Sequence, residues 1–195
     1  MSLRCCVIQE IYLIELDVIV NKNGMVSGPK AALEDEAYVT AAETDGEAIG
    51  ALVLGHSLRH AQVTRRLACM VTNKVSMEFR DLLSELYNDM IPISGLERID
   101  AMRMSVMDES LAALATWQYC RQYSKCVFLA PDTLVHHNID HLFGKPQLSA
   151  VAYHRRPKTF HSSVMVVEPA AAHNTFKKLQ KLARNCEDSF DFRSK

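Results

Sequence analysis

The sequence predicts an α/β fold: a mainly parallel sheet with helices on both faces. Three observations predict it. Short runs of large apolar residues, at 67–72, at Val127-Phe128-Leu129 and at 164–167, read as buried strands. The segments between them carry apolar residues at helical spacing. Strands alternating with helices of this length need crossover connections, and those give parallel pairing. With 195 residues, 48% of them hydrophobic, the chain can bury one substantial core and carry a small appendage.

The elements follow in order. Residues 1–36 form a divergent leader, with an apolar stretch over 11–20, a turn at Asn21-Lys22-Asn23-Gly24 and then Gly28-Pro29. A hairpin added to the sheet and a mobile arm both fit that composition. A second unit spans 37–195. It opens with a strand at 38–41 and a helix at 46–61, whose inward face is read as Ile49, Leu52, Val53 and Leu58. A strand at 67–72 precedes a helix capped by Ser76 and running to 86, with Phe79, Leu82, Leu83 and Leu86 inward. A strand at 90–93, an irregular stretch over 95–106 and a helix over 109–123 come next. Then follow a strand at 126–130, a helical turn over 138–143, and strands at 149–153 and 164–167. Pro169 opens a last helix to about 182, bearing Phe176 and Leu179.

Composition narrows the function classes. With 22 basic and 23 acidic residues the formal charge is -1, which gives no electrostatic ground for nucleic acid as a partner. No stretch reaches the roughly 18 uninterrupted apolar residues of a membrane span. Glu15 and Asp17 break the apolar leader segment, which makes it a poor signal peptide. The six cysteines, Cys5, Cys6, Cys69, Cys120, Cys126 and Cys186, show neither CxxC pairing nor ladder spacing, so reduced thiols in the cytoplasm are expected.

In an open parallel sheet, ligands sit at the carboxyl ends of the strands, and Asp132 falls at such an end. The runs DEAYVT at 35–40, GALVLGHSLRH at 50–60, TRRL at 64–67, QYSKCVF at 122–128, DTLV at 132–135, NIDHLF at 138–143 and SFD at 189–191 occur in one order and spacing. On these runs the chain resembles the glycogenins of glycosyltransferase family eight over about four-fifths of its length. The resemblance implies a Rossmann-like, GT-A type nucleotide-sugar transferase domain in which UDP-glucose is the donor and manganese the cofactor. It also implies a protein tyrosine as first acceptor, and an active glycogenin or glycogen synthase as partner, with a homodimer as a further possibility. Manganese and a basic residue would neutralise the charge developing on the UDP leaving group. Paired carboxylates suit a hard divalent cation.

The departures from the family pattern fall on its chemistry. The family's Asp-Ala-Asp is Ala130-Pro131-Asp132, so a single carboxylate remains. The uridine segment LTTND reads Ala41-Ala42-Glu43-Thr44-Asp45, and Glu47 stands where a uracil-stacking tyrosine is expected. An acidic Glu43 beside a diphosphate repels it unless a metal screens the charge. Leu114 replaces a phosphate-contacting lysine, and the turn FNSG reads Phe160-His161-Ser162-Ser163. After SFD the family continues GGDQG, whereas this sequence reads Phe192-Arg193-Ser194-Lys195, so the domain is expected to be C-terminally incomplete. Arg103 stands near a nucleotide-binding arginine of the family. By resemblance, the nucleotide-sugar contacts fall on Ala41, Thr44, Asp132 and Ser162, with Asp132 as the residual metal ligand and no residue assigned to catalysis.

Other chemistry-bearing residues have plainer readings beside the sharper ones. Asp132 caps the following turn if it binds no metal. His136, His137, Asp140 and His141 offer zinc-type ligands on one helical turn, or a solvated surface turn. Trp117 shares helical spacing with Leu111 and Leu114 and is read as core. His161 and Ser162 are neighbours on a strand and point to opposite faces, which disfavours a hydrolytic dyad. The expectation is therefore a glycogenin-like protein of glycogen biosynthesis that acts without catalysis, through partner binding. The alternative is an active UDP-sugar transferase that uses Asp132 and substitute ligands on a separate acceptor.

Overall fold

The computed structural model describes residues 6–7, 13–15, 35–94, 112–152 and 160–169. In chain order the strands are β1 (Cys6–Val7), β2 (Leu13–Glu15), β3 (Glu36–Ala42), β4 (Arg66–Val71), β5 (Asp89–Pro92), β6 (Lys125–Leu129), β7 (Thr133–Leu134), β8 (Ser149–Ala152) and β9 (Phe160–Val167). The helices are α1 (Asp45–His60), α2 (Met77–Leu86) and α3 (Ala112–Tyr119), with a 3-10 helix at Asp140–Gly144. Among the described residues seven strands form one sheet in the order β2-β8-β9-β6-β3-β4-β5, and β1 pairs separately with β7. Pairing is parallel among β6, β3, β4 and β5. It is antiparallel where β9 meets β6, β8 meets β9 and β2 meets β8. β8 therefore runs with β6, so five of the seven strands share one direction and the sheet is mixed but mostly parallel.

β3 lies inside the sheet between β6 and β4, and both of its faces are covered. Ala37, Val39 and Ala41 pack in one cluster with Met70, Phe128, Trp117 and other residues of α3. Tyr38 and Ala42 pack on the other face with Leu54 and Leu58 of α1 and Leu83 of α2. Burial on both faces is why this strand reads as a continuous apolar run rather than an alternation. Each large side chain buried here, such as Leu54 or Phe128, contributes about 1.5–3 kcal/mol.

α1 departs from its expected inward face. Ala48, Ala51, Leu54, Gly55 and Leu58 are buried, while Ile49 and Val53 are 55% and 52% exposed. Small residues line part of the buried side because the end of α2 and Tyr87 come close. A Cβ on Gly55 would stand 2.5 Å from Leu86 Cδ2, and the Tyr87 hydroxyl donates to the Ala51 carbonyl at 2.6 Å. In α2, Leu83 and Leu86 are buried as read, but Leu82 is 48% exposed. α1 ends in a Schellman motif, with Gln62 at φ 53° donating to Arg59 O and Val63 donating to Leu58 O. Trp117 is buried in the core, as its spacing indicates. The helix expected after Pro169, the irregular stretch at 95–106 and Arg103 lie outside the described residues.

Candidate strand-end site

The candidate site lies where β3, β4 and β6 end and β9 begins. In β3, Val39 is level with Phe128 of β6, which brings Ala41 alongside Ala130. In β9, Val164 is level with Leu129, and the Ala130 N–H donates to Ser163 O at 2.8 Å. Ala41, Thr44, Asp132 and Ser162, from three separate stretches of sequence, thus come to the same end of the sheet.

Beyond β6 the chain turns at once. The Thr133 N–H donates back to Ala130 O at 3.0 Å, closing a tight turn over Pro131 and Asp132 in which Asp132 is exposed. The turn rests directly on α1: a Cβ built on Gly50 would stand 2.5 Å from Pro131 O and 3.1 Å from its carbonyl carbon. Only glycine permits so close a backbone approach. The Thr133 hydroxyl is buried without a hydrogen-bond partner.

The β3–α1 turn is bound up by its own side chains. Glu47 Oε2 accepts the Glu43 N–H at 2.7 Å, and Asp45 Oδ1 accepts the Ser76 N–H at the start of α2, also at 2.7 Å. The Thr72 hydroxyl donates to Glu43 O at 2.7 Å and ties the end of β4 to the same turn. Thr44 is the N-cap of α1 through its backbone carbonyl, which accepts from Glu47 and Ala48, while its side chain makes no capping bond. Ala41 is fully buried, so its side chain belongs to the core and only its backbone is level with the site. Ser162 is half-buried on β9. Leu114 packs against the core cluster of α3.

The histidine cluster does not assemble. His136, His137 and His141 are exposed, and Asp140 turns inward. It accepts hydrogen bonds from the Tyr38 hydroxyl (2.8 Å), the Thr64 N–H (3.1 Å) and the Thr64 hydroxyl (2.8 Å), and Arg65 lies 3.4 Å away. Burial raises the Asp140 pKa, but these hydrogen bonds outweigh it and hold the carboxyl below its ordinary value. The Arg65 guanidinium also sits 5.0 Å from the centre of the Phe143 ring, which meets Tyr38 edge-on. Sequence reasoning missed this hub, whose only signal was an Asn-x-Asp turn at Asn138-Ile139-Asp140. Among the described residues no group of three or more His, Cys, Asp or Glu side chains is placed to hold a metal ion. The described carboxylates do not fit a paired-carboxylate manganese site: Asp45 and Glu47 serve backbone donors, and positions 130 and 131 bring no oxygen-bearing side chain to join Asp132.

No family model matches the chain. It is 38% identical over 164 residues to human Glycogenin-1, an alignment covering 82% of this chain and 46% of that protein. The chain is a glycogenin-like member of glycosyltransferase family eight. It is 34% identical over 163 residues to human Glycogenin-2, covering 80% of this chain and 32% of the relative. Against the Caenorhabditis elegans Glycogenin-1 it is 39% identical over 138 residues, covering 69% and 32%. The glycogenin-like chain thus spans less than half the length of each of these relatives. Among solved structures, an active-site mutant of LgtC superposes with a TM-score of 0.66 at 17% identity, over 80% of this chain and 66% of that one. The glycosyltransferase GlyE of Streptococcus pneumoniae gives 0.59 at 14%, over 82% and 41%. These likenesses establish the glycosyltransferase fold. Among the described residues no helix is long and apolar enough to cross a membrane.

Proposed function

We propose that this glycogenin-like protein serves glycogen biosynthesis without transferring glucose itself, by binding an active glycogenin or glycogen synthase. One observation carries the reading. At the strand end where a nucleotide-sugar transferase needs several groups for a metal-bound diphosphate, Asp132 stands exposed while Asp45 and Glu47 hold backbone N–H groups. Removing one such charge-stabilising group costs a few kcal/mol of transition-state stabilisation, and here several positions differ together. The framework around them is in place: the parallel strands, the glycine contact under Pro131 and the turn after β6. A surface that retains the shape of the family without its charge cluster suits recognition by a partner.

Isothermal titration with UDP-glucose in the presence and absence of Mn²⁺ tests the reading. The expected result is no saturable heat up to millimolar ligand. Saturable, metal-dependent binding in the micromolar range would overturn it and favour an active transferase using Asp132 with substitute ligands on a separate acceptor.

A further inference from the structure

Every Asp, Glu and Arg side chain of α1 is engaged by the fold. Asp45 accepts the Ser76 N–H and Glu47 accepts the Glu43 N–H. Arg59 Nη2 donates to Leu86 O at 2.9 Å and to Asn88 Oδ1 at 3.3 Å. What α1 turns to solvent is a stripe at helical spacing: Ile49, Val53, His56 and His60. Both imidazoles are exposed, and neither has a hydrogen-bond or ion-pair partner among the described residues. His56 and His60 stand one turn apart near the end of α1. Side chains four residues apart lie on one helix face, and two histidines at this spacing bring a ring nitrogen each within reach of one ion. Arg59, the cation between them, is drawn toward α2 by Leu86 and Asn88, so its guanidinium lies off the histidine stripe. The carbonyl end of a helix carries partial negative charge that favours a cation, and His60 lies in the last turn.

We propose that His56 and His60 chelate one borderline divalent ion of the zinc, nickel or copper class on the exposed face of α1. Imidazole nitrogens suit those ions, whereas carboxylate oxygens suit manganese. The site therefore differs in class from the strand-end metal chemistry of the family, and it stands whether or not UDP-glucose binds. Two protein ligands do not close the coordination shell of a structural zinc site. That agrees with the lack of any group of three or more ligating side chains among the described residues. Water fills the remaining positions, so the ion exchanges with solvent. The bound ion ties the last two turns of α1 together, and opening the helix there must break the chelate.

Titration of the full chain with Zn²⁺, followed by the imidazole ring proton signals in NMR, tests this. The His56 and His60 signals should move along one shared binding curve. The Ala61 N–H donates to Ser57 O across the same turn, and its exchange should slow about tenfold at free Zn²⁺ about ten times the dissociation constant. His60→Gln leaves a single imidazole, so His56 should then bind about a hundredfold more weakly, and His56→Gln should weaken His60 in the same way. All three positions varied are exposed, and His137→Gln, which lies off α1, should leave the curve unchanged. Separate midpoints for the two signals overturn the chelate, as does a His60→Gln protein in which His56 binds as in wild type. Equal weakening by His137→Gln also overturns it, because the ion would then sit elsewhere. No shift of either signal at millimolar Zn²⁺ does the same.

Discussion

Substituting Gly50 by alanine probes the contact on which the strand-end turn depends. The new Cβ would meet Pro131 O at 2.5 Å and its carbonyl carbon at 3.1 Å. An ordinary carbon–oxygen approach is about 3.3 Å or more, so helix and turn must part by something near 0.8 Å. Neither side yields easily. The obstructing atoms are backbone, and the turn is fixed by Ala130 bonding to Ser163 and Thr133 bonding to Ala130. Overpacking of this kind costs about 1–3 kcal/mol, set against about 1 kcal/mol gained by alanine over glycine in a helix. Because the obstructing atoms are backbone, the cost falls in the upper part of that range, and the net expectation is destabilisation by about 1–2 kcal/mol, a fall of roughly 2–8 °C in the thermal midpoint for a chain of this size.

Two further glycines calibrate the measurement. At Gly55 the new Cβ meets side-chain atoms of Leu86 and Tyr87, at 2.5 Å and 3.0 Å, and these can shift, so the loss should be smaller. At Gly144 nothing lies within 4 Å, and alanine should be neutral. Thermal melts followed by circular dichroism, with hydrogen exchange across 130–134, give both readouts. A Gly50→Ala protein that melts at or above the wild-type midpoint, with exchange unchanged at the turn, refutes the close approach.

Asp140→Asn should destabilise by about 1.5–3 kcal/mol, because a charged acceptor for Tyr38 and Thr64 becomes a neutral amide. The folded carboxyl lies below its ordinary value of 3.8, so its stabilising contribution is complete above that range and is lost as pH falls through the lower folded value. Denaturant titrations at neutral pH and near pH 3 should show the mutant and wild type converging in acid, and a constant gap would contradict the assignment. Trp117 is the single tryptophan and is 2% exposed. Its native emission should be blue-shifted and weakly quenched by acrylamide, and a red, fully quenched native spectrum would remove it from the core.

Much of the fold was legible because its signals are local. The apolar runs of β4, β6 and β9 are fixed by burial on both faces, and Ser76 marks the start of α2 at the position read. The inward face of α1 differs at Ile49 and Val53 from the one that apolar spacing gives, while Leu58 is buried as read. Close packing favours Ala48, Ala51 and Gly55 at the contact and leaves Ile49 and Val53 outside. Strands of two or three residues such as β1, β2 and β7 are too short to show a period, and their partners lie far away in sequence. The hub at Asp140 was equally hidden, since Tyr38 is 102 residues distant and Thr64 is 76. The Schellman end of α1 lacks its usual glycine, so Gln62 gave no stop signal.

The candidate site divides along a physical line that explains what was legible in it. The turn after β6 is held by backbone atoms: Ala130 N–H to Ser163 O, Thr133 N–H to Ala130 O, and the Pro131 carbonyl against Gly50. None of these contacts depends on the side chains at 130 or 132, so the turn forms with one carboxylate as readily as with two. The carboxylates at this end lie instead at Asp132 and in the β3–α1 turn. There Glu47 and Asp45 are fixed by the N–H groups of Glu43 and Ser76. Those bonds stabilise the turn independently of any ligand, and a carboxylate that moved to meet a metal would leave a backbone donor unpaired, a loss of about 1–3 kcal/mol for each such group. The bonds that stabilise this end of the sheet therefore oppose any recruitment of Asp45 and Glu47 as metal ligands.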